Sequence, residues 1–72
     1  MLIISQDRIS IVETTGVSLK MKQDSCGYNI VARTATDIVT LGTYYYEDAA
    51  KETLEKIYDA YAASQKTFRM PN

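Results

Sequence analysis

The sequence predicts an α+β fold: a four- or five-stranded antiparallel meander sheet with one C-terminal amphipathic helix across one of its faces. Two observations carry that expectation. From Glu47 to about Ser64 the chain has a helical period, with Tyr46, Ala50, Leu54, Ile57 and Tyr61 on one face and Lys51, Glu52, Glu55, Lys56 and Asp59 opposite. Ahead of it, short runs rich in apolar residues are separated by turn residues, and Val17–Gln23 alternates cleanly, with Val17, Leu19 and Met21 on one side and Ser18, Lys20 and Lys22 on the other. A sheet with one wet face and a helix with one apolar face need each other as cover.

Taken in order, Leu2–Ser5 reads as a first strand, stopped by Gln6-Asp7. Arg8–Glu13 alternates more weakly, with Ile9 and Ile11 expected inward, and Thr14-Thr15-Gly16 supplies a turn. After Val17–Gln23, the tetrad Asp24-Ser-Cys-Gly27 turns the chain into Tyr28–Thr34, whose inward set is expected to be Tyr28, Ile30 and Ala32. Ala35-Thr-Asp37 connects to Ile38–Tyr45, where Val39 and Leu41 face in, and Gly42 marks a bulge or a close approach by another group. Connections this short favour antiparallel hairpin neighbours. The helix lacks an ordinary cap: Tyr45 or Tyr46 stands where Ser, Thr, Asp or Asn would satisfy free amides, with Glu47 and Asp48 compensating in the first turn. Glu47–Lys51 and Glu52–Lys56 have the favourable i,i+4 orientation. The division is thus a single domain over 1–72, with strands in 1–46, helix in 47–64 and a tail in 65–72, where Pro71 stops any helical continuation. The expected core is Ile3, Ile9, Ile11, Val17, Leu19, Met21, Ile30, Val39, Leu41, Ala50, Leu54, Ile57 and Tyr61.

Seventy-two residues with 46% hydrophobic and 24% charged side chains form one small globular domain. Such a chain buries only about 60–65% of its unfolded surface, so a monomer is marginally stable. No apolar run is long enough for a signal sequence or a membrane span, which leads to the expectation of a cytoplasmic protein that does not engage a membrane. The net charge is −1. Residues 1–46 balance four bases (Arg8, Lys20, Lys22, Arg33) against four acids (Asp7, Glu13, Asp24, Asp37), whereas the helix carries five acids and two lysines. That balance disfavours nucleic acid as a partner.

Catalysis has little to work with. There is no histidine, and the single Cys26 has neither a disulfide partner nor an activating base beside it. Glu52, Glu55 and Asp59 cluster on the helix, but a solvated face accounts for them. No phosphate loop, nucleophile elbow or paired-cysteine motif is present. The expectation is a non-enzyme with no cofactor and no metal. Six tyrosines are the unusual feature, three of them consecutive at Tyr44-Tyr45-Tyr46. Adjacent strand residues face opposite ways, so these rings cannot all join one core. They either plug the core edge with their hydroxyls in water or serve self-association. The candidate interface is Tyr44, Tyr45, Tyr46, Tyr58, Phe68 and Met70, with a homo-oligomer (dimer or higher) or another protein as the partner. A different reading places Lys20, Lys22 and Arg33 on the wet sheet face as weak nucleic-acid contacts, for which only Tyr44 offers a stacking ring.

At Leu2-Ile-Ile-Ser-Gln-Asp7 and Leu41-Gly-Thr-Tyr-Tyr-Tyr-Glu-Asp-Ala-Ala-Lys-Glu-Thr-Leu-Glu-Lys-Ile57 the chain resembles a group of small uncharacterised proteins of Gram-positive bacteria, such as streptococci and lactococci, and of their prophages. The resemblance implies an opening strand ending in Ser-Gln-Asp and a closing strand, tyrosine and helix with alanine and leucine at the Ala50 and Leu54 positions. Tyr45 and Tyr46 depart from the Ser or Thr cap of that group, and Arg8 from the glycine that often follows Ser-Gln-Asp. No activity and no catalytic residue comes with the resemblance, which leaves two function classes: a self-associating interaction module, or an accessory nucleic-acid binder of a prophage or mobile element.

Overall fold

The computed structural model describes all 72 residues and has the expected α+β character, with an antiparallel meander and a C-terminal helix. The elements are β1 (Leu2–Ile4), β2 (Ile11–Glu13), β3 (Ser18–Asp24), β4 (Gly27–Arg33), β5 (Ile38–Tyr44), α1 (Glu47–Ala62) and β6 (Thr67–Arg69). The strands number six and fall into two sheets. β3-β4-β5 is the meander, and β2-β1-β6 is a smaller sheet.

The split begins at the first hairpin. Ser5 is buried and its hydroxyl donates to the Asp7 carboxylate at 2.6 Å, while the same oxygen accepts the Ser10 amide at 3.0 Å. Asp7 also accepts the Ile9 amide at 3.0 Å, and Arg8 takes a left-handed backbone at φ 64°. This knot turns β1 into β2 over a few residues. β2 does not pair with β3. Instead the Val17 amide donates to the Thr14 carbonyl at 3.1 Å, and the Glu13 carboxylate accepts both the amide and the hydroxyl of Thr15. That turn carries the chain out of the small sheet and into the meander.

The segment expected to be a tail closes the small sheet. Thr67–Arg69 runs parallel to β1 with Leu2 opposite Thr67, Ile3 opposite Phe68 and Ile4 opposite Arg69. Leu2 donates its amide to the Lys66 carbonyl at 2.9 Å, and Met70 donates to Ile4 at 3.1 Å. A three-residue strand that pairs across almost the whole length of the chain has no local signature.

Gly42 combines both expected roles. Ile30 pairs with Gly42 and Val31 with Thr40, so Leu41 is the extra residue of a bulge. Its carbonyl swings out to accept the Gln6 amide at 2.6 Å. A side chain on Gly42 would begin 3.1 Å from the Tyr44 ring and 3.3 Å from the Met70 methyl, so the missing Cβ is what admits both. The Gln6 side chain completes the join between the sheets: its Oε1 accepts the Thr43 amide at 2.9 Å and its Nε2 donates to the Pro71 carbonyl at 3.1 Å.

One core lies between the two sheets and the helix, built from Ile3, Val12, Ile30, Ala32, Leu41, Tyr44, Ala50, Ile57 and Met70. Val17, Leu19, Met21, Val39 and Leu54 support it from partly buried positions. Three expected core residues lie outside it. Ile9 and Ile11 are exposed, at 82% and 64%, because Val12 is the β2 residue that faces in; the alternation is as expected but its phase is shifted by one. Tyr61 is exposed because the helix seats a stripe of small residues, Ala50, Thr53 and Ala60 together with Ile57, against the sheet. Small residues let the helix approach closely, and Thr53 satisfies its buried hydroxyl by donating to the Ala49 carbonyl at 2.8 Å. The larger Leu54, Tyr58 and Tyr61 are left along one flank.

The helix starts without a side-chain cap at Tyr46, and Glu47 reaches Lys51 at 2.7 Å. It ends two residues earlier than its periodicity suggests. Ser64 turns left-handed at φ 58°, its amide donates to Tyr61, and Gln65 donates to Ala60. That pair of bonds is a Schellman closure with serine where glycine is usual.

Candidate interaction surfaces

The tyrosines do not form one surface. Tyr44 is the inward residue at the end of β5, 6% exposed, and its hydroxyl donates to the Pro71 carbonyl at 2.7 Å. Burial pushes its phenol pKa upward. Met70 is 3% exposed and Phe68 is partly buried against the core. Tyr44 and Met70 are therefore core residues and cannot be interface groups, because β6 draws the end of the chain under the meander. Of the six interface candidates, Tyr45, Tyr46 and Tyr58 stand exposed. Tyr45 and Tyr46 meet edge-to-face, with ring centroids 5.1 Å apart at 63°. Tyr58 lies twelve positions after Tyr46, about 18 Å further along the helix axis, so it belongs to a second patch.

That second patch is a groove. Leu54, Ile57, Tyr58 and Tyr61 form its helical wall, and Val17, Leu19 and Met1 form the other, with Thr14–Gly16 at one end. Its volume is about 550 Å³. The lining is chiefly apolar, with the threonines and the two phenols as its polar groups. Tyr61, expected in the core, is the ring that sequence reading missed here. The signal was available in the small residues Ala50, Thr53 and Ala60, whose spacing is as helical as that of the larger ones.

Lys20, Lys22 and Arg33 do share the outer face of the meander. Lys20 is opposite Val31, Lys22 opposite Asn29 and Arg33 opposite Ser18, which puts all of them on one side. Val31 is buried at 5% in the middle of that face. No ring accompanies the three cations, since Tyr28 and Tyr44 are paired with each other on the inner side. Asp24 sits at the end of the same strand. Its carboxyl is held below the usual range, first by the Cys26 amide it accepts at 2.8 Å and then by Asn29, so a firm negative charge stands beside Lys22.

A third surface was not anticipated. The inner face of the small sheet is Ile3, Val12 and Phe68; its outer face carries Leu2, Ile4 and Ile11, with Glu13 and Arg69 at two corners. Ile11 and Leu2 are 64% and 40% exposed. Glu13 also binds the N-terminal ammonium at 3.1 Å, and that bond is the main reason its carboxyl titrates below the usual range.

No three acidic, cysteine or histidine side chains converge to hold a metal, and Cys26 is exposed in the β3–β4 turn. No helix is long and apolar enough to cross a membrane. The chain matches no protein-family model, no curated protein and no solved structure.

Proposed function

We propose that this chain is a small non-enzymatic interaction module of the cytoplasm that acts by associating with itself. One observation supports the reading above the others. Leu2, Ile9, Ile11, Ile38, Tyr45, Tyr46, Tyr58 and Tyr61 are exposed. Apart from three alanines, the buried apolar set is no larger: Ile3, Val12, Ile30, Val31, Leu41, Tyr44, Ile57 and Met70. Scattered apolar residues on a surface need no explanation, but a chain that exposes as many large ones as it buries has much to gain from a partner. The small core adds to the argument, since association would supply the burial that a domain of this size lacks.

The alternative is an accessory nucleic-acid binder of a prophage or mobile element. It draws on the shared face of Lys20, Lys22 and Arg33, which offers no ring for base stacking and has Asp24 at its end.

Sedimentation equilibrium across a concentration series tests the self-association reading. The expected result is a mass that rises from 8.1 kDa towards a multiple of it as concentration reaches tens to hundreds of micromolar, about the range of weak transient interfaces. A mass that stays at that of one chain throughout would rule the reading out.

A further inference from the structure

We infer that two copies of the chain meet through the outer face of the small sheet, as a two-fold dimer in which Glu13 of each copy faces Arg69 of the other. This deepens the self-association reading and rests on it. The register of the small sheet lays out two rows on that face. Ile11, Ile4 and Arg69 form one row, and Glu13, Leu2 and Thr67 the other. The aliphatic residues occupy the middle and one corner. Glu13, on β2, and Arg69, on β6, occupy diagonally opposite corners.

A face with that layout is complementary to itself. In a face-to-face dimer the two-fold axis lies in the plane of contact, and each point meets its reflection across that axis. An axis running from the Ile11 corner towards the Thr67 corner exchanges the positions of Glu13 and Arg69. It brings Ile11 against its own copy and stacks the aliphatic centres, while two opposite-charge pairs form at the rim. Both charged groups have capacity for this. Arg69 makes no ion pair within the chain, and Glu13 spends Oε1 on the N-terminal ammonium and Thr15 while Oε2 accepts no bond. The helix groove has no such self-complementary arrangement of charge.

The contact is small. Of its aliphatic centre, Leu2 and Ile11 are 40% and 64% exposed and Ile4 is half-buried, so the patch is smaller than the largest apolar patch of many monomers. Such an area places the dimer at the weak end of specific interfaces, where rim charges govern which surfaces meet.

Charge reversal tests the pairing. Arg69→Glu and Glu13→Lys, each made alone and checked for folding by circular dichroism, place like charges opposite one another twice per dimer. Each is expected to weaken dimerisation roughly ten-fold or more. An equimolar mixture of the two variants restores both pairs in a heterodimer and should return the affinity to near that of the unaltered chain. Ile11→Arg, at an exposed position, gives an independent loss that does not depend on Glu13 and its bond to the ammonium. If the unaltered chain stays monomeric, this inference and the self-association reading fall together. If it dimerises and none of the three substitutions matters, self-association stands and the face assigned to it is wrong. Single losses without recovery in the mixture would overturn the Glu13–Arg69 pairing.

Discussion

The hydroxyl of Tyr44 donates a 2.7 Å hydrogen bond to the carbonyl of Pro71, tying the end of the meander to the end of the chain. The same carbonyl accepts the Gln6 side-chain amide at 3.1 Å, so one backbone oxygen joins three distant parts of the sequence. Neither sheet of this small protein is a unit by itself. They hold together through a shared core and through this polar junction at its edge.

Tyr44→Phe keeps the ring and removes the donor. The expected loss is about 0.5–1.5 kcal/mol, the usual net worth of one part-buried hydrogen bond, read from urea unfolding near neutral pH. The alkaline behaviour follows from the raised phenol pKa. Above the ordinary value of 10.0 the unfolded chain gives up the Tyr44 proton while the folded chain keeps it. The unfolded state then binds fewer protons, so stability falls as pH rises past about 10. The gap between the native chain and Tyr44→Phe should therefore narrow above that pH, and a constant gap would mean that the phenol is not buried as described.

Gln6→Ala removes two bonds, to the Thr43 amide and the Pro71 carbonyl, and leaves the Gln6 backbone amide on Leu41. Thr43 is exposed, so water takes up its amide and the loss should be about 1–2 kcal/mol. Because Gln6 and Tyr44 share the Pro71 carbonyl, the double substitution is expected to depart from additivity by about 0.5 kcal/mol or more. Strict additivity would show that the junction does not act as one unit.

Two non-glycine residues hold left-handed backbone, Arg8 at φ 64° and Ser64 at φ 58°. Each conformation costs a side chain of order 1 kcal/mol that glycine avoids. Arg8→Gly and Ser64→Gly should each raise stability by up to about 1 kcal/mol, after allowance for the extra freedom of glycine in the unfolded chain. At Ser64 the gain reports on the Schellman closure of the helix. Thermal unfolding should show both midpoints moving up, and a fall at either position would contradict the turn described there.

The elements of this fold were legible where the residue pattern was local. Val17–Gln23 alternates as expected and its strand pairs with the one that follows, though not with the one before; the helix lies where its period places it, and Gly42 stands beside the bulge. What escaped was decided at long range. Ile11 and Val12 are equally apolar neighbours, and Val12 faces in because the register sets it opposite Ile3, on the side of the small sheet that packs against the shared core. Tyr61 looks like a core residue on a wheel that ranks positions by size, yet close approach to the sheet selected Ala50, Thr53 and Ala60. The candidate surfaces suffered most from this. Tyr44 and Met70 belong to the core because β6, which has no local signature, carries Met70 and Pro71 to the Tyr44 ring beside Gly42. Conversely, the face carrying Leu2, Ile4 and Ile11 has no local signal, because Ile11 is expected inside and the sheet that gathers the three is closed only by β6.

The first hairpin makes the protein sensitive to acid. Asp7 is held below its ordinary pKa of 3.8 first by the Ser5 hydroxyl and then by the Ile9 amide. Glu13 is held below 4.5 first by the N-terminal ammonium and then by Thr15. In both cases the ionised form is favoured by folding, so the unfolded state binds more protons as pH falls into this range. The stabilisation is fully present above the unfolded values and is lost as pH drops through the lower folded ones. Unfolding followed from pH 7 to pH 2 should therefore show stability falling from about pH 4 downward. Asp7→Asn should be less stable than the native chain at neutral pH and converge with it in acid, because protonation removes from the native chain what the substitution has already removed. Glu13→Gln should behave alike, through the ammonium bond at the other end of the same strand pair. A separation between native and variant curves that stays constant down to pH 2 would show that the Ser5–Asp7 knot owes nothing to the carboxylate charge.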